Sequence, residues 1–136
     1  MRWDRRTWMT LAALSGLMSV AMGAFAAHGI TDAQAKDWIK TGASYQFMHA
    51  IAAIGCAAFM QVGAKRARFA PALFLAGTAL FSGSLYAMAF GAPKATAAMT
   101  PIGGLLFLTG WAVLAWAARG VDQAPVAAVL NGRARP

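Results

Sequence analysis

Acidic and metal-binding side chains are scarce in this 136-residue chain, which contains four Asp or Glu residues, two His and one Cys. No HExxH motif, GxSxG motif or carboxylate pair suited to general acid–base chemistry occurs, so we expect no enzymatic activity. The single cysteine, Cys56, excludes an intrachain disulfide. Two histidines without a nearby thiolate or carboxylate make a poor metal site, and we expect neither a metal nor a cofactor.

Charged residues are also missing from four long apolar stretches. These stretches are 20 to 22 residues long and occupy positions 7–27, 45–64, 69–90 and 99–118. At about 1.5 Å per residue, each is long enough to cross a hydrocarbon core of about 30 Å. A soluble domain would not hold four such stretches in so short a chain. The sequence therefore predicts an all-α fold, with residues 1–136 forming a single integral membrane domain of four transmembrane helices.

The connections between the stretches predict an antiparallel bundle. Only residues 65–68 separate the second stretch from the third, so these two helices are expected to be antiparallel neighbours. Pro71 and Pro101 fall where the third and fourth helices begin, a position at which proline is tolerated. Small residues four positions apart within the stretches favour close helix packing. The tail at 120–136 is rich in proline and glycine and is predicted to be mobile.

The first outer loop, 28–44, carries a helix signal of its own. Thr31, followed three residues later by Gln34, is typical of a capping box at a helix N-terminus. Residues 33–44 then place Trp38 on the apolar side of a short helix. We therefore expect a short interfacial helix in this loop, lying along the outer membrane surface.

Basic residues are distributed unequally between the two sides of the predicted membrane. Nine of the 12 Lys and Arg residues precede the first stretch, lie between the second and third, or follow the fourth, whereas three lie in the other two loops. Basic residues near short loops are retained in the cytoplasm. Both termini of this multi-pass protein are therefore expected to be cytoplasmic. Because the net charge of +8 is carried by residues flanking the spans, where they meet anionic headgroups, we expect no nucleic-acid partner.

The first stretch has an alternative interpretation as a cleavable signal peptide. Arg5 and Arg6 precede the apolar run, and Ala24-Phe25-Ala26 resembles a small-residue cleavage site. The run is longer than the core of about 7–15 residues that is typical of a signal peptide. Its length therefore favours a retained helix.

Polar side chains concentrate in the outer half of the predicted membrane. The candidate pocket residues are His28, Tyr45, Gln46, His49, Ser82, Ser84, Tyr86 and Thr100. The polar residues assigned to the inner half are mainly Thr7, Thr10, Ser15, Gln61, Thr78 and Thr109. Tyr45 and His49 lie four apart and share one helix face, as do Ser82 and Tyr86. The pattern predicts that four helices converge on one polar pocket beneath the outer surface.

Two interpretations of the candidate residues remain open. They can hydrogen-bond between helices and stabilise the bundle, at about 0.6–2 kcal/mol each. They can also line a binding or permeation site, because ionisable residues within membranes are often functional. Under either interpretation, the His49 ring is expected to point into the bundle, near His28 or Tyr86.

Four short motifs in order give the chain a family resemblance. Residues 23–29 read GAFAAHG and resemble the GAFGAHG signature of the DUF423 or YgdD-like family of small four-span bacterial inner-membrane proteins of unknown function. The Tyr45-Gln46 pair with His49-Ala50, the run 80–86, and residues 100–104 with Gly110-Trp111 resemble the family's later motifs. Ala26 departs from the family's glycine, which changes packing slightly. The resemblance covers positions 8–118 and implies a four-span inner-membrane protein. It does not imply a particular activity.

Two classes of function are consistent with the sequence. The first is a small polytopic inner-membrane protein with a structural or accessory role. Its partners would be the lipid bilayer and either other membrane proteins or a second copy of the chain. The alternative is a small-solute transporter or channel that uses the polar pocket in the outer half of the bundle. A polar cluster that is satisfied internally favours the first class, whereas a water-filled cavity reaching the cytoplasmic half favours the second.

Overall fold

Four long α-helices form the protein. A computed structural model describes residues 4–121 and contains no β-strand in this part of the chain. The long helices are α1 (Arg5–His28), α2 (Ala33–Gln61), α3 (Ala70–Ala89) and α4 (Met99–Ala118). Short 3-10 helices at Lys65–Phe69 and Lys94–Ala98 lead into α3 and α4. All four long helices are long and apolar enough to cross a membrane, which confirms the predicted all-α class; most of the tail at 120–136 lies outside the described residues.

Aspartate side chains cap the first two helices. The Asp4 carboxylate accepts a hydrogen bond from the backbone N–H two residues later at 3.1 Å, and α1 begins at the next residue. Asp32 accepts from the backbone N–H of Ala35 at 2.7 Å at the start of α2. The cap of α2 is thus Asp32 rather than the predicted Thr31, because an ionised carboxylate accepts a stronger hydrogen bond than a hydroxyl.

Helix α2 is continuous over 29 residues. At about 1.5 Å per residue its length is about 44 Å. Residues 33–44, expected to form a separate short helix, are helical but run into the second span without a break. The sequence around Ser44 and Tyr45 has no proline, and the nearby Gly42 is buried against the Tyr86 ring, so nothing interrupts the helix there.

Glycines allow α3 and α4 to approach closely. A Cβ atom on Gly103 of α4 would collide with the backbone nitrogen of Phe81 on α3 and would lie 2.8 Å from the carbonyl oxygen of Gly77. A Cβ atom on Gly110 would lie 2.5 Å from the Phe74 ring. Backbones approach this closely only where side chains are absent, as is common between membrane helices. These glycines therefore set the distance between the two helices.

The helices pack mainly on their neighbours in the chain: α1 on α2, α2 on α3, and α3 on α4. Helices α2 and α3 therefore form the centre, and α1 is the least buried of the four. A cluster of buried residues around Cys56 and Phe74 joins α2, α3 and α4, while Ile39 and Tyr86 pack with Ala26 of α1 in a second cluster. The backbones of α2 and α4 approach each other at few positions, and a groove lies between these two helices.

Candidate functional site

A buried hydrogen-bond network centred on Gln46 connects three helices. The Gln46 amide nitrogen donates to the Ser15 hydroxyl of α1 at 3.3 Å, and the Tyr86 hydroxyl of α3 donates to the Gln46 amide oxygen at 2.7 Å. Both Gln46 and Tyr86 are buried. Because lipid offers no hydrogen-bond partners, such groups must be satisfied within the protein. The network therefore fixes α1, α2 and α3 relative to one another.

A second hydrogen bond beside Gln46 uses the backbone. The Ser82 hydroxyl donates to the carbonyl oxygen of Gly42 at 2.7 Å. The Tyr86 ring covers Gly42, where an added Cβ would lie 2.8 Å from the ring carbon Cε1. Gly42 thus leaves room for the tyrosine whose hydroxyl reaches Gln46. We name Ser15, Gln46, Ser82 and Tyr86, together with the neighbouring Thr78, the central polar cluster.

Thr78 is the exceptional member of the central polar cluster. Its side chain is buried, and its hydroxyl oxygen is without a hydrogen-bond partner among the described residues. Thr78 lines a cavity of about 110 Å³ together with Gln46, Ser82 and Tyr86. The rest of its lining is Met18, Ala79 and Gly83, so this is a small, partly open and mostly apolar cleft beside the cluster.

His49 belongs to a different, aromatic environment. Its Nδ1 lies 2.7 Å from the carbonyl oxygen of Tyr45, and the Trp111 indole N–H of α4 donates to its Nε2 at 3.2 Å. A carbonyl only accepts and an indole N–H only donates, so these partners define a neutral imidazole protonated on Nδ1. The ring stacks on Phe107 with centroids 3.5 Å apart and an interplanar angle of 7°. The His49 ring therefore contacts α4 instead of the predicted His28 or Tyr86.

The groove between α2 and α4 is lined almost wholly by apolar and aromatic side chains. It has a volume of about 730 Å³, and Tyr45, His49, Phe81, Phe107 and Trp111 lie along it. Tyr45 and Phe81 rings are 4.6 Å apart between centroids. We name this space the aromatic groove. His49 contributes its ring to the wall, while both of its nitrogens are occupied by hydrogen bonds.

The eight candidate residues are distributed over four places among the described residues. Gln46, Ser82 and Tyr86 meet in the central polar cluster, and Tyr45 and His49 line the aromatic groove. A third place is the α3–α4 contact, where the Ser84 and Thr100 hydroxyls lie 2.7 Å apart. The fourth is His28, which is exposed at the end of α1. The central polar cluster and the aromatic groove therefore share none of the eight residues.

Three residues outside the predicted set also lie at these places: Ser15, Thr78 and Trp111. Ser15 and Thr78 were assigned to the inner half of the membrane. Gln46, however, lies thirteen residues beyond the start of α2 and about 20 Å along its axis, near the middle of the bundle. The sequence signal that could have revealed this depth is the Asp32 cap, which starts α2 before the apolar stretch begins.

Four apolar helices with buried interhelical hydrogen bonds define a small integral membrane protein. The chain belongs to the family described as "Protein of unknown function (DUF423)", which matches residues 22–104. This confirms the resemblance inferred from the four motifs. The matched region contains Gln46, His49, Thr78 and Tyr86, whereas Trp111 lies beyond it.

Bacterial relatives cover most of the chain. A UPF0382 membrane protein of Haemophilus influenzae is 48% identical over 115 residues, which are 82% of this chain and 93% of the relative. The UPF0382 inner membrane protein YgdD of Escherichia coli strain K12 is 42% identical over 113 residues, 80% of this chain and 86% of the relative. A UPF0382 membrane protein of Staphylococcus epidermidis is 33% identical over 112 residues, 80% of this chain and 92% of the relative. No solved structure matches the chain. The protein is thus a small polytopic inner-membrane protein of a family without a characterised function, and the lipid bilayer surrounds it.

Proposed function

We propose that this protein is a structural or accessory component of the inner membrane that associates with another membrane protein, and that it catalyses no reaction. The observation that carries the proposal is that its interior polar groups are mostly paired with one another across helices. The pairs are Ser15–Gln46, Gln46–Tyr86, Ser82–Gly42, Ser84–Thr100 and His49–Trp111. Groups used in this way stabilise the bundle and are not presented to a passing solute.

The surface available to a partner is apolar. Leu17 on α1 and Leu108 on α4 are 68% and 67% exposed, the two highest exposures among the large apolar side chains of the described residues. Contacts in the plane of the membrane depend on packing and small residues, since lipid supplies no hydrophobic drive. An apolar α1 held mainly by α2 can pack against a further helix on its free side.

Site-specific photo-crosslinking in cells tests this association. A photoreactive residue replaces Leu17 or Leu108, and Lys94, which is exposed in the connection before α4, provides the control. We expect a discrete protein adduct from Leu17 or Leu108 and none from Lys94. The same adducts at all three positions, or none at any, would contradict an accessory role. Solute flux through the purified protein in proteoliposomes would instead support a transporter or channel.

The membrane arrangement that we propose is an antiparallel four-helix bundle with cytoplasmic termini. Residues early in α2 share a buried cluster with residues late in α1 and α3, and this order reverses along the helix. Ile39 lies in one cluster with Ala26 and Tyr86, whereas Ala53 lies in another with Ala12 and Phe74. The nine-to-three distribution of basic residues supports the orientation. Reporter fusions at the C-terminus should be active in the cytoplasm. Periplasmic phosphatase activity there would contradict this topology.

We also propose that residues 33–44 form the interfacial segment of α2. A helix of about 44 Å exceeds the hydrocarbon core of about 30 Å, so part of it must leave the apolar region. The charged residues of α2 are Lys36, Asp37 and Lys40, all near its N-terminus. This end therefore extends into the outer headgroup region, continuous with the span. Cysteine labelling at Lys40 by a membrane-impermeant maleimide tests this placement, with Leu108, in the apolar span of α4, as the control position that should not react.

A further inference from the structure

We propose that the aromatic groove between α2 and α4 binds one hydrocarbon chain of a membrane lipid, from the leaflet in which α4 begins. The groove is as long as one leaflet is thick, a side-chain bridge closes its far end, and its walls suit a flexible chain better than a helix. The proposal goes beyond the accessory role given above and does not depend on it.

The length of the groove matches one leaflet. On α4 its lining begins at Pro101 and ends at Trp111, and this step of ten residues rises about 15 Å. That distance is half of a hydrocarbon core of about 30 Å. Pro101 is the third residue of α4, so the groove begins near one end of the span and reaches the middle of the membrane.

Trp111 closes the groove at its deep end. Its indole N–H donates to His49 Nε2 on α2 at 3.2 Å, so its side chain reaches across from α4 to α2. Beyond Trp111, a second space of about 440 Å³ lies between the same two helices, and Gly55 and Ala115 are among its lining residues. Trp111 is the residue that lines both spaces. The bridge therefore separates the part of the groove that faces one leaflet from the part that faces the other.

The groove offers a hydrocarbon chain apolar contacts on three sides. Phe107, which is buried, and Phe81 form its floor, with ring centroids 5.5 Å apart. Met48 of α2 and Leu105 of α4 are exposed and form its two sides. Its volume of about 730 Å³ lies within the roughly 300–1,000 Å³ of sites that hold small molecules. In a bilayer the molecules that surround the groove are lipids, and a chain lying in it gains dispersion contacts with all three sides.

A helix of another protein fits this groove less well. Membrane helices approach closely where small residues line the contact, as Gly103 and Gly110 do between α3 and α4. The aromatic groove contains one glycine, Gly104, among mainly large side chains. These side chains would hold a helix backbone at a distance, whereas a flexible hydrocarbon chain can follow their shape.

Gly104 provides a way to fill the groove by substitution. No atom lies within 4 Å of a Cβ added at Gly104, so a larger side chain enters the open groove without a backbone collision. Gly104→Phe should therefore occupy the place of the lipid chain. Gly23 of α1 also has no atom within 4 Å of an added Cβ and lies outside the groove. Gly23→Phe is therefore the matched control.

Photolabelling of the full chain in vesicles tests the site. The vesicles contain phosphatidylethanolamine, phosphatidylglycerol and a trace of phospholipid with a diazirine on one acyl chain, and mass spectrometry locates the labelled residues. Leu108 lines the groove and is 67% exposed, whereas Leu17 of α1 lies outside it and is 68% exposed. Both lie at the middle of their helices, so ordinary contact with lipid should label them equally. We expect several-fold more label on Leu108. Gly104→Phe should remove this excess, and Gly23→Phe should not.

Three results would overturn the proposal. Equal labelling of Leu108 and Leu17 in the unmodified chain would show that lipid meets the groove only as it meets any exposed helix. Absence of label at Leu108 would show that another occupant, such as a second copy of the chain, fills the groove. Unchanged labelling of Leu108 in a folded Gly104→Phe variant would show that the label is not in the groove.

The position of the diazirine on the acyl chain provides a test that needs no variant. A diazirine near the ester group should label residues close to Pro101, and one near the methyl end should label residues close to Trp111. This order follows from a chain that enters where α4 begins and ends at the Trp111–His49 bridge. The reverse order, or the same labels from both probes, would overturn the assignment, and this measurement decides the question if Gly104→Phe does not fold.

Discussion

Two adjacent glycines of α4 should respond in opposite ways to the same substitution. At Gly103, an added Cβ meets the backbone nitrogen of Phe81, the carbonyl oxygen of Gly77 and the Cβ of Phe81. None of these atoms belongs to the flexible end of a side chain, so α4 can accommodate the methyl group only by moving away from α3. At Gly104, no atom lies within 4 Å of an added Cβ.

The expected magnitudes follow from these distances. Overpacking a tight contact costs about 1–3 kcal/mol, and a collision with backbone places Gly103→Ala in the upper part of that range. Replacing glycine by alanine within a helix contributes about 1 kcal/mol in the opposite direction. The net loss of unfolding free energy for Gly103→Ala should therefore be about 1–2 kcal/mol. Gly104→Ala should be neutral or more stable, since it gains helix propensity without a collision.

The assay is reversible unfolding of the purified protein in detergent mixed with increasing SDS, followed by helical circular dichroism. The midpoint for Gly103→Ala should fall and that for Gly104→Ala should not. Equal midpoints for the two variants would refute the inference that Gly103 sets the distance between α3 and α4. A disulfide between cysteines placed on the two helices would show whether that distance has changed.

Three further substitutions test the interior contacts. Tyr86→Phe removes the hydrogen bond to Gln46 and should lower the free energy of unfolding by about 1–2 kcal/mol in the same assay, whereas Tyr45→Phe, in the aromatic groove, should change it by less than about 0.5 kcal/mol. Gly42→Ala places a Cβ 2.8 Å from the Tyr86 ring and should be less stable by about 1–3 kcal/mol, with Gly55→Ala, which meets nothing within 4 Å, as its control. His49→Phe keeps an aromatic ring on Phe107 but leaves the Trp111 N–H unpaired, so it should lower the free energy of unfolding by about 1–2 kcal/mol. The same substitution should cost less when it is made in a protein that already carries Trp111→Phe. Additive losses in that last cycle would show that the His49–Trp111 hydrogen bond contributes nothing.

The positions of the helices were largely predictable from the sequence because a membrane imposes a simple requirement. Each uncharged stretch had to be about 20 residues long, and prolines marked the starts of α3 and α4. The family assignment also followed from motifs that the sequence displays directly. The continuity of α2 was harder, because the polar and charged residues from Ala33 to Ser44 favoured a separate interfacial helix, whereas the structure has one helix that continues into the span.

The contacts between helices were less predictable because they depend on depth and on rotation. Assigning depth from the ends of the apolar stretches separated Gln46 from Ser15, which are hydrogen-bonded in the structure. Four-residue spacing grouped Tyr45 with His49 correctly, but it could not show that this face meets Trp111. A periodic pattern identifies which residues share a face, whereas the partner of that face is determined by the packing of the other helices.

The sequential packing of the helices has a consequence for biosynthesis. Since α1 packs mainly on α2, α2 on α3 and α3 on α4, each helix finds its principal partner in the segment made immediately before or after it. The Ser15–Gln46 hydrogen bond can form as soon as α2 has entered the membrane, and the Gln46–Tyr86 bond as soon as α3 has followed. The bundle can therefore assemble in the order in which the ribosome produces it, because each helix packs mainly on a helix that is adjacent in the sequence.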